Sequence, residues 1–367
     1  MCCAGTPGSD RGDTALTSEN AEPWDCAKMC RPERDCLGGV LDMAGWLPLS
    51  LVAMAAATTL AGCADESENL LGDLTTIDPC SLTSPEVFAR FGSAEFGEPE
   101  GFGSCRILVT VAGDEPGDEP EEISVFVGEL IRPSELTWEL EPAREEVADS
   151  VHLTELRDLG GSCAQELVFA DEDLALTVQT RQDTTVRAMP TCDLAEAGMA
   201  RVVEVILDGK VKHRTPPPNS LTGVDACDLL DEDLVTGLPG YADARRLTPP
   251  GRHECRWRAE VSLALRFLVG PPSRPGTDGV GERGSTVIAG RPTATQIVGA
   301  TATSGGFCQV WTQHISYGAS EVVEIVRVDV ELPVGTLDEV AQGQWLSVGC
   351  EGALAIAEHA WAKLPAI

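Results

Sequence analysis

The chain has 367 residues and a formal net charge of −33, with 59 aspartates and glutamates against 26 lysines and arginines. Charge of this sign repels phosphate backbones and anionic lipid head groups, which argues against nucleic acid as a partner. The length is sufficient for two domains of ordinary size.

Residues 1–42 precede the first structural signal along the chain. A signal peptide belongs at the N-terminus of a chain, and a start at Met43 gives a compact signal without a basic residue. A start at Met29 adds Arg31 and Arg34, the positive segment that is usually expected. We therefore interpret residues 1–42 as an upstream leader, produced by a misassigned start codon or else disordered.

An apolar run from Trp46 to Leu60 is the first strong signal. A membrane-spanning helix needs about 20 apolar residues, and this run is shorter. A buried core helix would be interrupted by Pro48. The length of the run and the small residues at its end are typical of a signal peptide, which we place at residues 43–62.

The run closes on Leu60-Ala61-Gly62-Cys63, the pattern of a bacterial lipoprotein signal. In such a signal the cysteine thiol receives a diacylglyceryl group, and the chain is then cut before the cysteine. Cys63 would thus be the lipidated N-terminus, and acyl chains such as palmitate would anchor the protein in the membrane. We expect an extracytoplasmic location at the cell membrane, with residues 63–73 as a tether.

The rest of the chain consists of two similar halves. Four cysteine-containing segments recur in the same order, namely 74–82 with 221–229, 104–107 with 254–257, 160–163 with 305–308, and Cys192 with Cys350. Recurrence of four segments with matching neighbours predicts a tandem duplication.

The duplication sets the expected domain boundaries at residues 74–209 and 221–367. Between them, the linker 210–220 contains the triplet Pro216-Pro217-Pro218, which favours an extended, semi-rigid spacer. We expect two separate folding units held at a fairly constant distance.

Each half begins with the signals of a short helix. In the first half Ser84 can cap the helix, Pro85 suits its first turn, and Glu86 complements the positive end of the helix dipole. Acidic residues 231–233 occupy the same place in the second half.

Strands follow in both halves. From Cys255 to Phe267 the odd positions are apolar and the even positions mostly polar, which predicts one strand with one buried face; residues 105–111 repeat the pattern more weakly. Later strands are predicted around residues 174–178 and 326–332.

Each half then ends in a helix whose apolar residues share one face, namely Ala195, Met199, Val202 and Ile206, and Leu354, Ala357, Trp361 and Leu364. The predicted fold class is α+β, with two tandem homologous domains, each an antiparallel sheet with an N-terminal short helix and a C-terminal packing helix.

The cysteines of the two halves are expected to be oxidised outside the membrane. Four cysteines allow three connectivities in each half, and pairing of sequence neighbours would tie a helix to a strand. We favour the pairs Cys80–Cys105, Cys163–Cys192, Cys227–Cys255 and Cys308–Cys350. Zinc is the competing interpretation, but the spacings are long and no C-x-x-C or accompanying histidine occurs, so no metal site is predicted.

The negative charge is uneven along the chain. Residues 64–215 hold 33 acidic and 11 basic side chains, whereas residues 216–367 hold 18 and 11. Much of the excess lies in 114–122, where proline and glycine favour a solvated loop. The segment does not match a calcium-binding EF-hand loop.

No catalytic constellation is recognisable. Residues 279–284 match G-x-G-x-x-G, but residues 285–288 after them predict a strand, whereas a dinucleotide site needs a helix there. The sequence contains no G-x-S-x-G, no H-E-x-x-H and no phosphate-binding loop. We therefore expect a protein that is not an enzyme and that has no cofactor.

Aromatic residues of the second half give one indication of a binding site. Trp257 and Trp361 fall on faces that are predicted to be buried, so they are assigned to the core. Trp311 and Trp345 could line a groove, and His314 lies near Trp311 in the sequence. These three residues are candidate ligand contacts, although a single histidine on a strand usually has a structural role.

The combined pattern resembles a known family. D-x-C-x-L at a helix start, C-R-[IW] opening a strand, G-G-x-C on a later strand, and Ala-Gly-Arg-Pro at 289–292 are similar to the actinobacterial lipoproteins called domain of unknown function 3558. The resemblance spans roughly residues 70–367 and implies two copies of an anchored extracytoplasmic α+β module with disulfides. The first copy lacks the Ala-Gly-Arg-Pro element, and the family lends no catalytic residues.

These observations favour a lipid-anchored, non-enzymatic module that binds a small ligand or an envelope protein, with the second half as the binding half. A structural or adaptor lipoprotein is the first alternative. A hydrolase of unrecognised type is the second, and a buried nucleophile–histidine–carboxylate cluster around His314 would support it.

Overall fold

The computed structural model describes residues 70–112, 119–136, 140–182, 190–259, 261–272, 283–298, 306–318, 321–331 and 345–367. Within these residues the strands form two sheets, one from each half of the chain. The strand pairings in both sheets are antiparallel, so the prediction of two sheet-rich, antiparallel halves is confirmed.

The first sheet contains β1 (Ser93–Phe96), β2 (Cys105–Val111), β3 (Glu121–Ile131), β4 (Ala143–Ala148), β5 (Val151–Thr154), β6 (Arg157–Asp158), β7 (Ser162–Phe169) and β8 (Leu174–Gln182). Its strand order is β1-β2-β3-β8-β7-β5-β4, and the short β6 pairs with β7. The predicted strands around residues 105–111 and 174–178 correspond to β2 and β8.

The second sheet contains β9 (Arg245–Leu247), β10 (Glu254–Arg258), β11 (Ser262–Gly270), β12 (Arg283–Ile288), β13 (Arg291–Val298), β14 (Phe307–Ser316) and β15 (Val323–Glu331). Its strand order, read from the other edge, is β9-β10-β11-β15-β14-β13-β12. Each of its strands thus takes the position of one strand of the first sheet, and β9, β10 and β11 replace β1, β2 and β3.

The α-helices of the described residues are α1 (Thr191–Leu207), α2 (Glu232–Thr236) and α3 (Trp345–Lys363). α1 packs on β7 and β8 and buries Met199 and Val202, whereas α3 packs on β14 and β15 and buries Ala357 and Trp361. Burial of these apolar side chains between helix and sheet builds one hydrophobic core in each half.

The short elements around the first cysteine of each half have the same local design. Each cysteine lies in a 3-10 helix, Pro79–Leu82 or Ala226–Leu229, and the preceding aspartate, Asp78 or Asp225, accepts a hydrogen bond from the cysteine N–H. The predicted helix after Ser84 is also a 3-10 helix, and the Ser84 hydroxyl does not cap it.

Four disulfides brace the two halves, and they are the pairs that the sequence favoured. Cys80–Cys105 and Cys227–Cys255 tie a 3-10 helix to β2 and to β10. Cys163–Cys192 and Cys308–Cys350 tie the main helix of each half to the strand on which it packs. The second type of disulfide therefore fixes each helix against its sheet.

The region from Cys255 to Phe267 is a hairpin of β10 and β11, so the prediction of one continuous strand was wrong. Cys255 lies opposite Leu265 and Trp257 opposite Leu263, so odd residues face odd residues across the hairpin. Because the turn conserves this parity, the alternation of buried and exposed positions continues through it. The period-two pattern therefore reports the buried face but not the turn.

The linker lies along the first half before it enters the second. The Asp78 N–H donates to Lys212 O, and the Arg214 N–H donates to Thr76 O, so residues 212–214 pair with residues 76–78. At its other end the Ser220 hydroxyl and the Leu221 N–H both donate to the buried carboxylate of Glu324. The predicted spacer is thus held at both ends.

No helix in the described part of the chain is long and apolar enough to span a membrane. The lipoprotein signal at residues 43–62 and Cys63 lie outside the described residues.

Candidate functional site

The two halves are joined by an aromatic side chain of the first half that enters the core of the second. Phe102 is 1% exposed and packs among the buried residues of the second half. Its ring centroid lies 4.9 Å from that of His253 and 5.6 Å from that of Tyr317, the latter in an edge-to-face arrangement. This contact fixes the position of one half against the other, so the halves are docked and are not the separate folding units that the linker sequence predicts.

Arg214 of the linker closes the same junction. Its guanidinium donates to Phe102 O at 2.9 Å, lies 3.5 Å from the Asp78 carboxylate, and stands over the Tyr317 ring. The junction thus contains a charged group from the linker and aromatic groups from both halves.

Beside this junction the halves enclose a cleft of about 380 Å³. A volume of this size suits a small-molecule ligand. Its apolar wall includes Phe126, Leu130, Ile131, Leu247 and Leu268. Its charged lining consists of Arg132, Arg181, Arg252, Arg256, Arg258, Arg266, Glu100, Glu129, Glu135 and Glu254. Six arginines against four glutamates make this cleft a basic region in a chain of net charge −33.

The wall from the second half is organised around Glu254. Its carboxylate accepts two hydrogen bonds from Arg256, at 2.7 Å each, and one from Arg266 at 2.6 Å. Burial acts to raise the pKa of Glu254, but the two arginines outweigh it and the pKa lies below its ordinary value. Glu254 is therefore an anion that holds two guanidinium groups in place.

The facing wall from the first half contains Glu129 on β3. Burial in the cleft raises the pKa of its carboxyl, and the charge of Glu254 adds to this, while Arg256 and Arg266 act in the opposite direction. Glu129 is nevertheless exposed to solvent at the surface of the cleft. The rise in its pKa therefore comes from the protein atoms that surround the carboxyl in the cleft, since the residue does not lie in a closed core. Glu129 also raises the pKa of Arg256, after Glu254, against the effect of burial.

Phe126 lies between two arginines on the same wall. Arg106 and Arg181 stand over its ring, with their guanidinium carbons 5.9 Å and 5.1 Å from the ring centroid. Arg106 also donates to the Ser124 hydroxyl and to Glu100. Within the residues that the structure describes, the Arg181 side chain makes no ion pair or hydrogen bond, and its contact with Phe126 is this cation–π interaction.

The predicted contact Trp311 lies on the outer face of the second sheet. It is half-buried and directly opposite Arg327 on β15, which in turn lies opposite Arg266 on β11. Opposite residues on neighbouring strands project from the same face, so Trp311 is two strands from an arginine of the cleft. It does not line the cleft itself.

The predicted contact His314 is buried under α3 and has a structural environment. Its Nε2–H donates to Asn219 O at 2.6 Å, which leaves Nδ1 to accept from Arg291 at 3.1 Å. Arg291, from the Ala-Gly-Arg-Pro element, also donates to Pro365 O. Because both ring nitrogens are engaged by the protein, His314 has no free nitrogen for a substrate, and this histidine no longer supports a hydrolase.

The other predicted site residues are only partly described. Trp345 begins α3, but its side chain lies outside the described residues, as do Cys63, residues 279–282 and residues 114–118. Among the described side chains, none form a group of three or more histidines, cysteines or acids that could hold a metal ion.

Sequence reasoning missed the cleft because its residues come from both halves. One signal could have found part of it. The repeated C-R dipeptide places Arg106 and Arg256 at matching positions of β2 and β10, on the face opposite the buried cysteine. Arg256 lines the cleft and Arg106 lies over Phe126, so the repeated dipeptide places one arginine at each wall.

No family model and no curated protein matches the chain. The di-domain ARO/CYC StfQ from the steffimycin biosynthetic pathway is similar at 11% identity, over 77% of this chain and 94% of that chain, with a TM-score of 0.17. A transferrin binding protein B mutant from Haemophilus parasuis is similar at 8% identity, over 62% and 64%, with a TM-score of 0.10. TM-scores this low do not indicate a shared fold or a shared function.

Proposed function

We propose that this protein is a lipid-anchored, non-enzymatic binding module on the extracytoplasmic face of the cell membrane, and that the cleft between its halves holds the ligand. The observation that carries the proposal is that cleft, to which both halves contribute charged and apolar walls. The basic lining within an acidic chain concentrates binding chemistry in one place.

The proposed location follows from the sequence and agrees with the covalent framework. Cys63 closes a lipoprotein signal, and four disulfides suit an oxidising compartment outside the cytoplasm. The membrane would be contacted through the lipid on Cys63.

Two homologous α+β domains are part of the proposal. The matching strand order of the two sheets and the matching disulfides support a tandem duplication. From the repeated motifs we also propose a relationship to the actinobacterial lipoproteins called domain of unknown function 3558. In this view the ligand site was created where the two copies meet.

The proposal is tested by purifying the full-length protein from its own membranes in mild detergent and identifying bound molecules by mass spectrometry. A small molecule retained in proportion to the protein is the expected result. A stable protein partner without a small molecule would overturn the proposal and identify an adaptor lipoprotein, the alternative function.

The anchor is tested separately with Cys63→Ser. The wild-type protein is expected in the membrane fraction, with an N-terminal peptide carrying a diacylglyceryl mass at Cys63. The variant is expected to lose both properties. A variant that stays membrane-bound would contradict lipidation as the anchor.

A further inference from the structure

The arginines of the cleft differ in whether the protein neutralises them. Arg256 and Arg266 share the Glu254 carboxylate, whereas the side chain of Arg258, at the end of β10, makes no ion pair or hydrogen bond within the described residues. The same holds for Arg181 on the opposite wall. Within the described residues, the cleft therefore has two guanidinium groups, one from each half, without an ion pair or hydrogen bond.

A second observation concerns the edge of the second sheet. Arg258 lies directly opposite Arg245 of β9, and the two side chains leave the same face of the sheet. Like charges in this arrangement repel and destabilise a strand pair. Arg245 also has no acidic partner in the described part of the chain, so no described side chain compensates this repulsion. An anion bound to Arg258 would reduce it.

The charges are adjacent to apolar surface. Leu247 neighbours Arg256 across the β9–β10 pairing, and Phe126, Leu130 and Ile131 lie on the facing wall. A ligand that only carried charge would leave this surface in contact with water, whereas an apolar group on the ligand would bury it.

We infer that the cleft binds an anionic amphiphile, a molecule with a phosphate or carboxylate group joined to an apolar body. Arg258 and Arg181 bind the anion, because a planar guanidinium donates two parallel hydrogen bonds to either group. The apolar body lies along Phe126 and the leucines of the cleft. This inference rests on the proposed binding function and names its ligand class.

The inference is tested by isothermal titration calorimetry of the full chain carrying Cys63→Ser, at fixed ionic strength. The probes are octyl phosphate, octanoate, inorganic phosphate and octyl glucoside, all below micellar concentration. One site per chain is expected for octyl phosphate or octanoate, at least tenfold tighter than for inorganic phosphate or octyl glucoside. Equal binding of inorganic phosphate would show that the apolar wall is unused, and equal binding of octyl glucoside that the arginines are unused. Either result would overturn the inference, as would no binding of any probe.

Two variants assign the site to the arginines. Arg258→Gln and Arg181→Gln are each expected to weaken binding at least tenfold, as for loss of hydrogen bonds to a charged group. Arg144→Gln is the matched control, since Arg144 is an exposed arginine of β4 that pairs with Glu196 on α1 and does not line the cleft. An equal loss in the control would indicate a general effect of charge and contradict the assignment.

Thermal unfolding without ligand separates a binding role from a structural role. Arg258→Gln removes the repulsion with Arg245, so its melting temperature is expected to equal or exceed that of the wild type. A lower melting temperature would show that Arg258 supports the fold. If octyl phosphate and octanoate fail to bind but a neutral small molecule is retained from native membranes, the ligand class is wrong and the binding function stands. If no small molecule binds in the calorimetry and none is retained from native membranes, the ligand class and the binding function are both wrong.

Discussion

At the scale of single residues, the contact between the two halves depends on Phe102. It comes from the first half, yet it is buried in the hydrophobic core of the second. It lies in a Gly-Phe-Gly segment without a periodic pattern, so nothing local in the sequence indicated its burial. Its packing against His253 and Tyr317 depends on residues about 150 or more positions away in the chain, which a search for periodicity does not detect.

Phe102→Ala is expected to destabilise the protein by about 3–5 kcal/mol, because a fully buried phenylalanine leaves a cavity when it is truncated. Urea unfolding followed by tryptophan fluorescence measures the change. Phe96→Ala is the control, since Phe96 is 51% exposed and its truncation is expected to change the free energy of unfolding by less than about 0.5 kcal/mol. Equal effects of the two substitutions would contradict the junction described above.

His253 makes the junction sensitive to acid. Burial lowers the pKa of its imidazole from 6.5 to about 4, in spite of its hydrogen bond to Thr222 O. The folded protein keeps the ring neutral where the unfolded chain would bind a proton. This effect is absent above pH 6.5 and destabilises the fold progressively as the pH falls to about 4, by up to about 3 kcal/mol.

The measurement is the free energy of unfolding of wild type and His253→Gln between pH 7.5 and pH 4. Carboxylates titrate in both proteins, so the difference between the two curves isolates the histidine. The wild type is expected to lose more stability than the variant over this range. Parallel curves would show that the ring is not held neutral at the junction.

At the scale of elements, the sequence predicted the arrangement of helices and strands best where the pattern reflects burial. The alternation in residues 105–111 identified β2 and its buried face, since Ile107 and Val109 are fully buried. The same alternation in residues 255–267 did not reveal the turn between β10 and β11. A hairpin that pairs odd with odd residues keeps the buried parity on both strands, so the hydrophobic pattern contains no mark of the reversal.

The disulfides between helix and sheet are expected to stabilise the two halves by similar amounts. Cys163–Cys192 closes a loop with a sequence separation of 29 residues and Cys308–Cys350 one of 42 residues. Loop-closure entropy predicts about 3.5–4 kcal/mol for each. Replacing each pair by serines and measuring urea unfolding tests this. A loss below about 1 kcal/mol for either pair would show that the helix stays in place without its covalent link.

At the scale of the whole molecule, the candidate site could not be predicted from the sequence, because it exists only where the halves meet. The single predictions Trp311 and His314 came from the composition of one half. The structure places His314 in a buried contact with Arg291 and Asn219 and leaves Trp311 two strands from the cleft. Arg181 and Arg258 belong to different halves, and no spacing along the chain indicates that they face one cleft.

Docking of the halves has a thermodynamic consequence for the whole chain. Because Phe102 and the linker couple the two cores, the protein is expected to unfold in one cooperative transition. Differential scanning calorimetry tests this, with a ratio of calorimetric to van't Hoff enthalpy near one as the expected result. Two resolved transitions in the wild type would show that the halves unfold independently. Phe102→Ala is expected to broaden or split the transition.

The acidic surface around a basic cleft also affects the rate at which an anionic ligand arrives. Within roughly one Debye length of the surface, about 10 Å in 0.1 M salt, an approaching anion is repelled by a molecule of net charge −33. Added salt weakens this repulsion more than it weakens the close contacts with the arginines, because partly buried pairs are screened less. Association should therefore accelerate with rising ionic strength, the reverse of ordinary electrostatic steering. The cleft would thus capture its ligand fastest in a salty environment.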